Sequence, residues 1–160
     1  MAPQTPYTPD LGDRDPIAAM RETPERIRAV TSGWTAEQFE RRYAPGKWTA
    51  RQILIHLAQT ELGLGARARM AVTVPGYTAQ PFDQNQWLPV DSAMSGREAV
   101  EAFFALAVMN RSAFAALPAA DRAKPFAHPE YGALTVDWII HQMAGHHIHH
   151  LKHLETIAAL

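Results

Sequence analysis

Six of the eight histidines in this 160-residue chain lie in its last stretch, Thr135 to Leu160, which reads TVDWIIHQMAGHHIHHLKHLETIAAL. They are His141, His146, His147, His149, His150 and His153. The stretch has the apolar period of a helix. At about 100° per residue, Val136, Ile139, Ile140, Met143, Leu151, Leu154, Ile157 and Ala158 share one face. His150 falls inside that face, His147 near its centre and His146 at its edge. His141 points away, and His149 and His153 lie to the side. Side chains one helical turn apart stack on the same face, so an imidazole pair at this spacing can chelate one metal ion. Periodicity leaves two pairs open, His146/His150 and His147/His150.

A further histidine, His56, lies among Ile53, Leu57 and Leu64 on the apolar side of an earlier helix. A lone histidine there reads first as a core residue satisfied by a polar neighbour. Several inward imidazoles change that reading, because each needs a hydrogen bond or a metal to offset its burial. Three neutral imidazoles on zinc leave one open position, the pattern of a catalytic site. Water or a thiolate could fill it, and nickel or iron(II) would also accept such ligands. No carboxylate is an obvious fourth ligand. Glu61 and Glu155 each follow a histidine by five residues, off the face-sharing spacings. Asp83 and Glu130 sit in connections, where loop ordering is the plainer role. No serine stands in a G-x-S-x-G turn and no glycine-rich phosphate loop is present.

The elements that must position these groups are four helical stretches. The first runs from about Asp15 to Val30, with Thr23-Pro24 marking a restart or a kink. The second starts at Thr49 and reaches about Val72. The third is capped by Ser95, with Glu98 at capping-box spacing; its apolar stripe includes Phe103, Ala107, Arg111 and Phe114, and Pro118 closes it. Thr135 caps the fourth. Long connections, Tyr77 to Met94 and Asp121 to Leu134, join them. The expected fold is all-α, a four-helix bundle with long connecting loops. Residues 1–13 are expected to form an extended arm, and 14–160 the bundle domain.

Composition narrows the function. The net charge is −1, which points away from nucleic acid. The chain has no cysteine, so disulfides, thiolate ligands from the chain and a cysteine nucleophile are excluded. No signal peptide is expected from MAPQTPYTPD, no apolar run reads as a membrane span, and a cytoplasmic location is expected.

Trp48-Thr49-Ala50-Arg51 leading to His56-Leu57-Ala58, with Gly145-His146-His147-Ile148-His149-His150-Leu151 near the end, resembles the DinB-like superfamily. PFDQNQW, Arg67-Ala68-Arg69 and HPEYG look like segments of one branch of it. The resemblance implies a four-helix bundle whose metal ligands are His56, His146 and His150. His153 stands where relatives often have glutamine, and His147 where a polar or acidic residue is common, so His147 and His149 are alternative ligands. The resemblance also implies a small-molecule substrate and a homodimer. It implies a divalent metal, zinc first and nickel or iron next, with bacillithiol or mycothiol as a possible thiol co-substrate. The function expected is a metal-dependent thiol S-transferase or hydrolase; the alternative is a non-catalytic metal-binding or stress-associated structural protein. Arg67, Asp83, Trp87, His128 and Tyr131 are expected to wall the substrate pocket.

Overall fold

The computed structural model describes residues 2–160. Its long helices are α2 (Pro16–Thr31), α4 (Ala50–Thr73), α6 (Gly96–Ala116) and α8 (Val136–Ala158). Short turns of helix lie between them: α1 (Thr8–Leu11), α3 (Ala36–Phe39), α5 (Gln84–Trp87) and α7 (Ala119–Arg122). The four long helices close a ring in which α4 and α2 each pack between α6 and α8. This is the expected bundle.

Each long helix begins where its sequence supplies a cap. Thr49 accepts a hydrogen bond from the Gln52 backbone N–H at 3.1 Å, and the Gln52 side chain accepts one from Thr49 N–H at 2.9 Å. Ser95 and Glu98 form the same reciprocal box at the start of α6. Each such cap contributes about 1 kcal/mol and fixes where the helix starts. Asp15 caps α2, with Pro16 at its first position. Thr23-Pro24 neither ends nor restarts that helix: α2 runs through it, with both residues buried.

The apolar core falls into two clusters along the bundle axis. One contains Ile53, Leu54, Leu57, Phe103, Ala107 and Leu154. The other contains Leu64, Ala68, Phe114, Ile140, Met143 and Ile148. Fully burying one such large side chain contributes roughly 1.5–3 kcal/mol. Between the clusters lies a buried polar layer drawn from α4, α6 and α8: His56, Glu61, Asn110, His146, His147 and His150.

Four expectations need correction. The second connection is not a plain loop. It contains α7 and an antiparallel hairpin of β1 (Pro125–His128) and β2 (Gly132–Thr135), paired His128 to Gly132. Gly132, the first residue of β2, has φ +72°, a left-handed conformation that glycine adopts freely. The first connection is tied to this hairpin, with Ala127 N–H donating to Tyr77 O at 3.0 Å and Ala79 N–H to Ala127 O at 2.8 Å. Together they close one end of the bundle. The N-terminal arm is not extended throughout, because Thr8–Leu11 forms α1 and packs on α8. In α6 it is Asn110, not Arg111, that faces the core; the buried series 103, 107, 110, 114 follows the three-four helical alternation. Finally, α6 is long and apolar enough to cross a membrane by length and composition. Here it lies in the bundle against α4 and α2.

Candidate metal centre

His56 comes from the second turn of α4 and His146 and His150 from adjacent turns of α8. One ring nitrogen of each lies within 4.8 Å of the others. His56 Nε2 and His146 Nε2 are 2.9 Å apart. The His150 ring stands edge-on to both, with centroid separations of 5.2 Å to His56 and 4.5 Å to His146. All three side chains are buried. Burial lowers the pKa of His56 to about 4. Burial, and then the neighbouring imidazoles, push His146 and His150 well below the ordinary value. All three are therefore neutral at neutral pH, the form that binds a metal.

The donor set fits a divalent ion. Three nitrogen ligands converge, and no carboxylate joins them among the described residues. The buried Nδ1 atoms of His56 and His146 have no hydrogen-bond partner among the described residues. Two ε-nitrogens facing each other, with nothing on the opposite ring atoms, leave the imidazoles poorly satisfied by protein alone. A single shared hydrogen can bridge the two facing ε-nitrogens only one way, whereas an ion between them would take the lone pairs of both. Three imidazoles with an open fourth position match the coordination of catalytic zinc.

The alternative ligands face elsewhere. His147 Nε2 meets Glu61 Oε1 at 2.5 Å, and both side chains are at most 1% exposed. Glu61 Oε2 accepts from Asn110 Nδ2 at 2.8 Å, and Asn110 Oδ1 accepts from Arg69 at 2.7 Å. Gly65 is required beside this chain, because a Cβ there would lie 2.4 Å from Asn110 Oδ1. His149 turns to Asp10, 3.1 Å away. His153 stacks flat on Tyr43 at a centroid distance of 4.0 Å.

His56 and His146 of the cluster line a cavity of about 690 Å³, and His56 and His150 line a second one of about 300 Å³. His56, Thr60, Leu64 and Arg67 line the larger from α4, and Trp138, Gln142 and His146 from α8. Arg67, Asp83, His128 and Tyr131 also line it. Trp87 does not. It packs against Phe82, ring centroids 4.6 Å apart, and Phe82 takes its place in the wall. His128 Nδ1 accepts from the backbone of Glu130 at 3.2 Å, and burial lowers its pKa.

Sequence reasoning missed Tyr7, Thr60 and Gln142. Tyr7 lines the main cavity and the second one, on the other side of the cluster, beside His149 and His153. Its ring lies 4.9 Å from His146. Gly145 admits it: a Cβ there would be 2.6 Å from Tyr7 O. Glycine directly before the H-x-x-x-H pair was the available signal for a close approach.

A sequence model of the DinB superfamily matches residues 19–154, and the chain belongs to that superfamily. A protein of Oceanobacillus iheyensis named "Putative metal-dependent hydrolase" is 26% identical over 148 residues, 88% of this chain and 83% of that one. A Geobacillus kaustophilus protein with the same description is 34% identical over 85 residues, 52% of this chain and 48% of its own. Among solved structures, YfiT from Bacillus subtilis is described as a probable metal-dependent hydrolase with an unusual four-helix bundle topology. It aligns with TM-score 0.81 at 21% identity, over 90% of this chain and 84% of YfiT. A mycothiol-dependent maleylpyruvate isomerase aligns with TM-score 0.73 at 14% identity, over 94% of this chain and 63% of its own. These two likenesses show the shared fold.

Proposed function

We propose that this protein is a metal-dependent enzyme acting on a small molecule, with His56, His146 and His150 holding one divalent ion. Zinc is the first choice, then nickel or iron(II). The carrying observation is three buried, neutral imidazoles converging between two cavities, with His56 and His146 lining the larger. The relatives described as metal-dependent hydrolases support the reading.

The chain's own residues divide the work. The three histidines present lone pairs from helices held rigid by the bundle. Trp48, its ring 4.9 Å from His56, helps keep water from that imidazole. Thr60 and Gln142 offer buried oxygens without partners, placed to hold a substrate. The ion, when bound, supplies Lewis acidity and lowers the pKa of a water or thiol at the open side of the site. With water the reaction is hydrolysis; with a low-molecular-weight thiol, such as bacillithiol or mycothiol, it is S-transfer.

The competing reading is a non-catalytic metal binder or stress-associated structural protein, drawing on half-buried His149 and His153. Zinc-loaded protein and His56→Ala should be assayed against chromogenic esters and alkylating electrophiles, with and without bacillithiol. Turnover of esters without thiol assigns hydrolysis, and thiol-dependent turnover assigns transfer. No turnover in any arm, with the ion bound, favours the non-catalytic reading.

A further inference from the structure

The main cavity has a direction. On α4, His56, Thr60 and Arg67 follow one another at spacings of four and seven residues, which keep one helical face. On α8, His146, Gln142 and Trp138 follow at spacings of four, running the opposite way. The cavity therefore grades from imidazoles at one end, through a hydroxyl and an amide, to a guanidinium at the other. Eleven residues separate His56 from Arg67, about 16 Å of helix rise. A helical side chain leans back toward the N-terminus, so the guanidinium stands roughly 10–16 Å from the cluster.

Arg67 is only 8% exposed. Its Nη2 donates to Gln80 O at 2.6 Å, and no carboxylate lies within 4.0 Å of it among the described residues. Glu130, exposed at the rim of the cavity, and Tyr77 act on it without forming such an ion pair. Arg67 lines the cavity with one donor committed to Gln80 O, which leaves the others for an anion entering it. Its planar fork matches a carboxylate or a phosphate. Leu64, Phe82 and Tyr131 add apolar wall to the cavity.

Resting on the metal-enzyme reading above, we infer that the substrate is an elongated small molecule ending in an oxyanion. Arg67 holds that anionic end while the reactive end meets the histidine cluster about 10 Å or more away. Thr60 and Gln142 bond polar groups between the two. The anion is a carboxylate or a phosphate monoester.

Cobalt(II)-loaded protein tests this by binding alone, because a thiol reaching the ion produces a visible charge-transfer band. The probes are ω-mercaptooctanoate, ω-mercaptooctanol, ω-mercaptooctyl phosphate and the short pair mercaptopropionate and mercaptopropanol. The octanoate or the phosphate should bind about tenfold or more tightly than the alcohol, as a charge-assisted hydrogen bond allows. Whichever anion binds more tightly names its source. Mercaptopropionate, too short to reach Arg67, should show no such gain over mercaptopropanol. Arg67→Gln should abolish the gain and leave the alcohol unchanged. Arg67→Lys, which keeps the charge and loses the fork, should retain part of it. Equal binding of acid, phosphate and alcohol, or a gain that survives Arg67→Gln, overturns the inference. Protein that takes up no cobalt counts against the metal reading alone. Octanoate against octanamide, titrated calorimetrically into wild type and Arg67→Gln, then decides the role of Arg67 in the same way.

Discussion

Glu61 Oε1 and His147 Nε2, from positions 86 apart in the chain, meet at 2.5 Å with neither side chain more than 1% exposed. The contact ties α4 to α8 directly behind the histidine cluster. Asn110 joins it from α6 and fixes the carboxylate's second oxygen. Three of the four bundle helices are thus registered by one polar layer between two apolar clusters.

Removing the Glu61 carboxylate leaves His147 Nε2 buried without its partner, while Asn110 keeps the Glu61 backbone carbonyl and Arg69. Glu61→Ala should destabilise the fold by about 3–5 kcal/mol, the range for breaking a buried pair. Glu61→Gln should cost less, roughly 1–3 kcal/mol. Urea unfolding measures both. Because Glu61 is no part of the three-histidine cluster, folded Glu61→Gln should still bind metal; loss of the ion without loss of fold would show that the two sites are one.

The metal-free protein should become less stable as pH falls. The pKa of His56 in the fold is about 4, lowered by burial from 6.5. His146 and His150 are lowered too. Below an unfolded value near 6.5 the unfolded chain binds more protons than the fold, so stability drops as pH falls through that window toward 4. His56 alone accounts for about 3 kcal/mol. Thermal melts from pH 7.5 to 4.5 should show this loss, and His56→Gln should flatten it. A melting temperature independent of pH would mean that the imidazoles are not buried neutral.

The N-terminal arm should depend on Gly145. Gly145→Val would place a side chain on Tyr7 O and Cβ. Overpacking of this kind costs about 1–3 kcal/mol, relieved here by release of the arm. Limited proteolysis before α2 should quicken in this variant while cobalt is retained. Unchanged proteolysis would mean that the arm seats without the glycine notch.

Much of this was legible beforehand because local chemistry and the helical period agreed. Thr49, Ser95 and Thr135 cap where their sequences place caps, and His56 and His150 face inward as their apolar neighbours require. Periodicity could not separate His146 from His147, since both are buried and only their partners on other helices distinguish them. The resemblance named His146, and the geometry brings that residue to His56. Glu61 and Asn110 were illegible for the same reason: each is polar on a core face, and the partner satisfying it lies on another helix. The hairpin escaped because four-residue strands carry little pattern. Tyr7 escaped because nothing local marks a segment that docks through a distant glycine. Trp87 was assigned to the wall as an aromatic in the right loop, and Phe82 occupies the place instead.

The central claim is that three histidines hold one ion, and metal content per chain tests it most directly. Protein purified without an affinity tag and loaded with zinc should carry about one ion. His56→Ala, His146→Ala and His150→Ala should each lose it while still melting cooperatively. His149→Ala and His153→Ala should keep it. A chain that stays empty on adding zinc or nickel, or several ions that survive all three substitutions, would contradict the account.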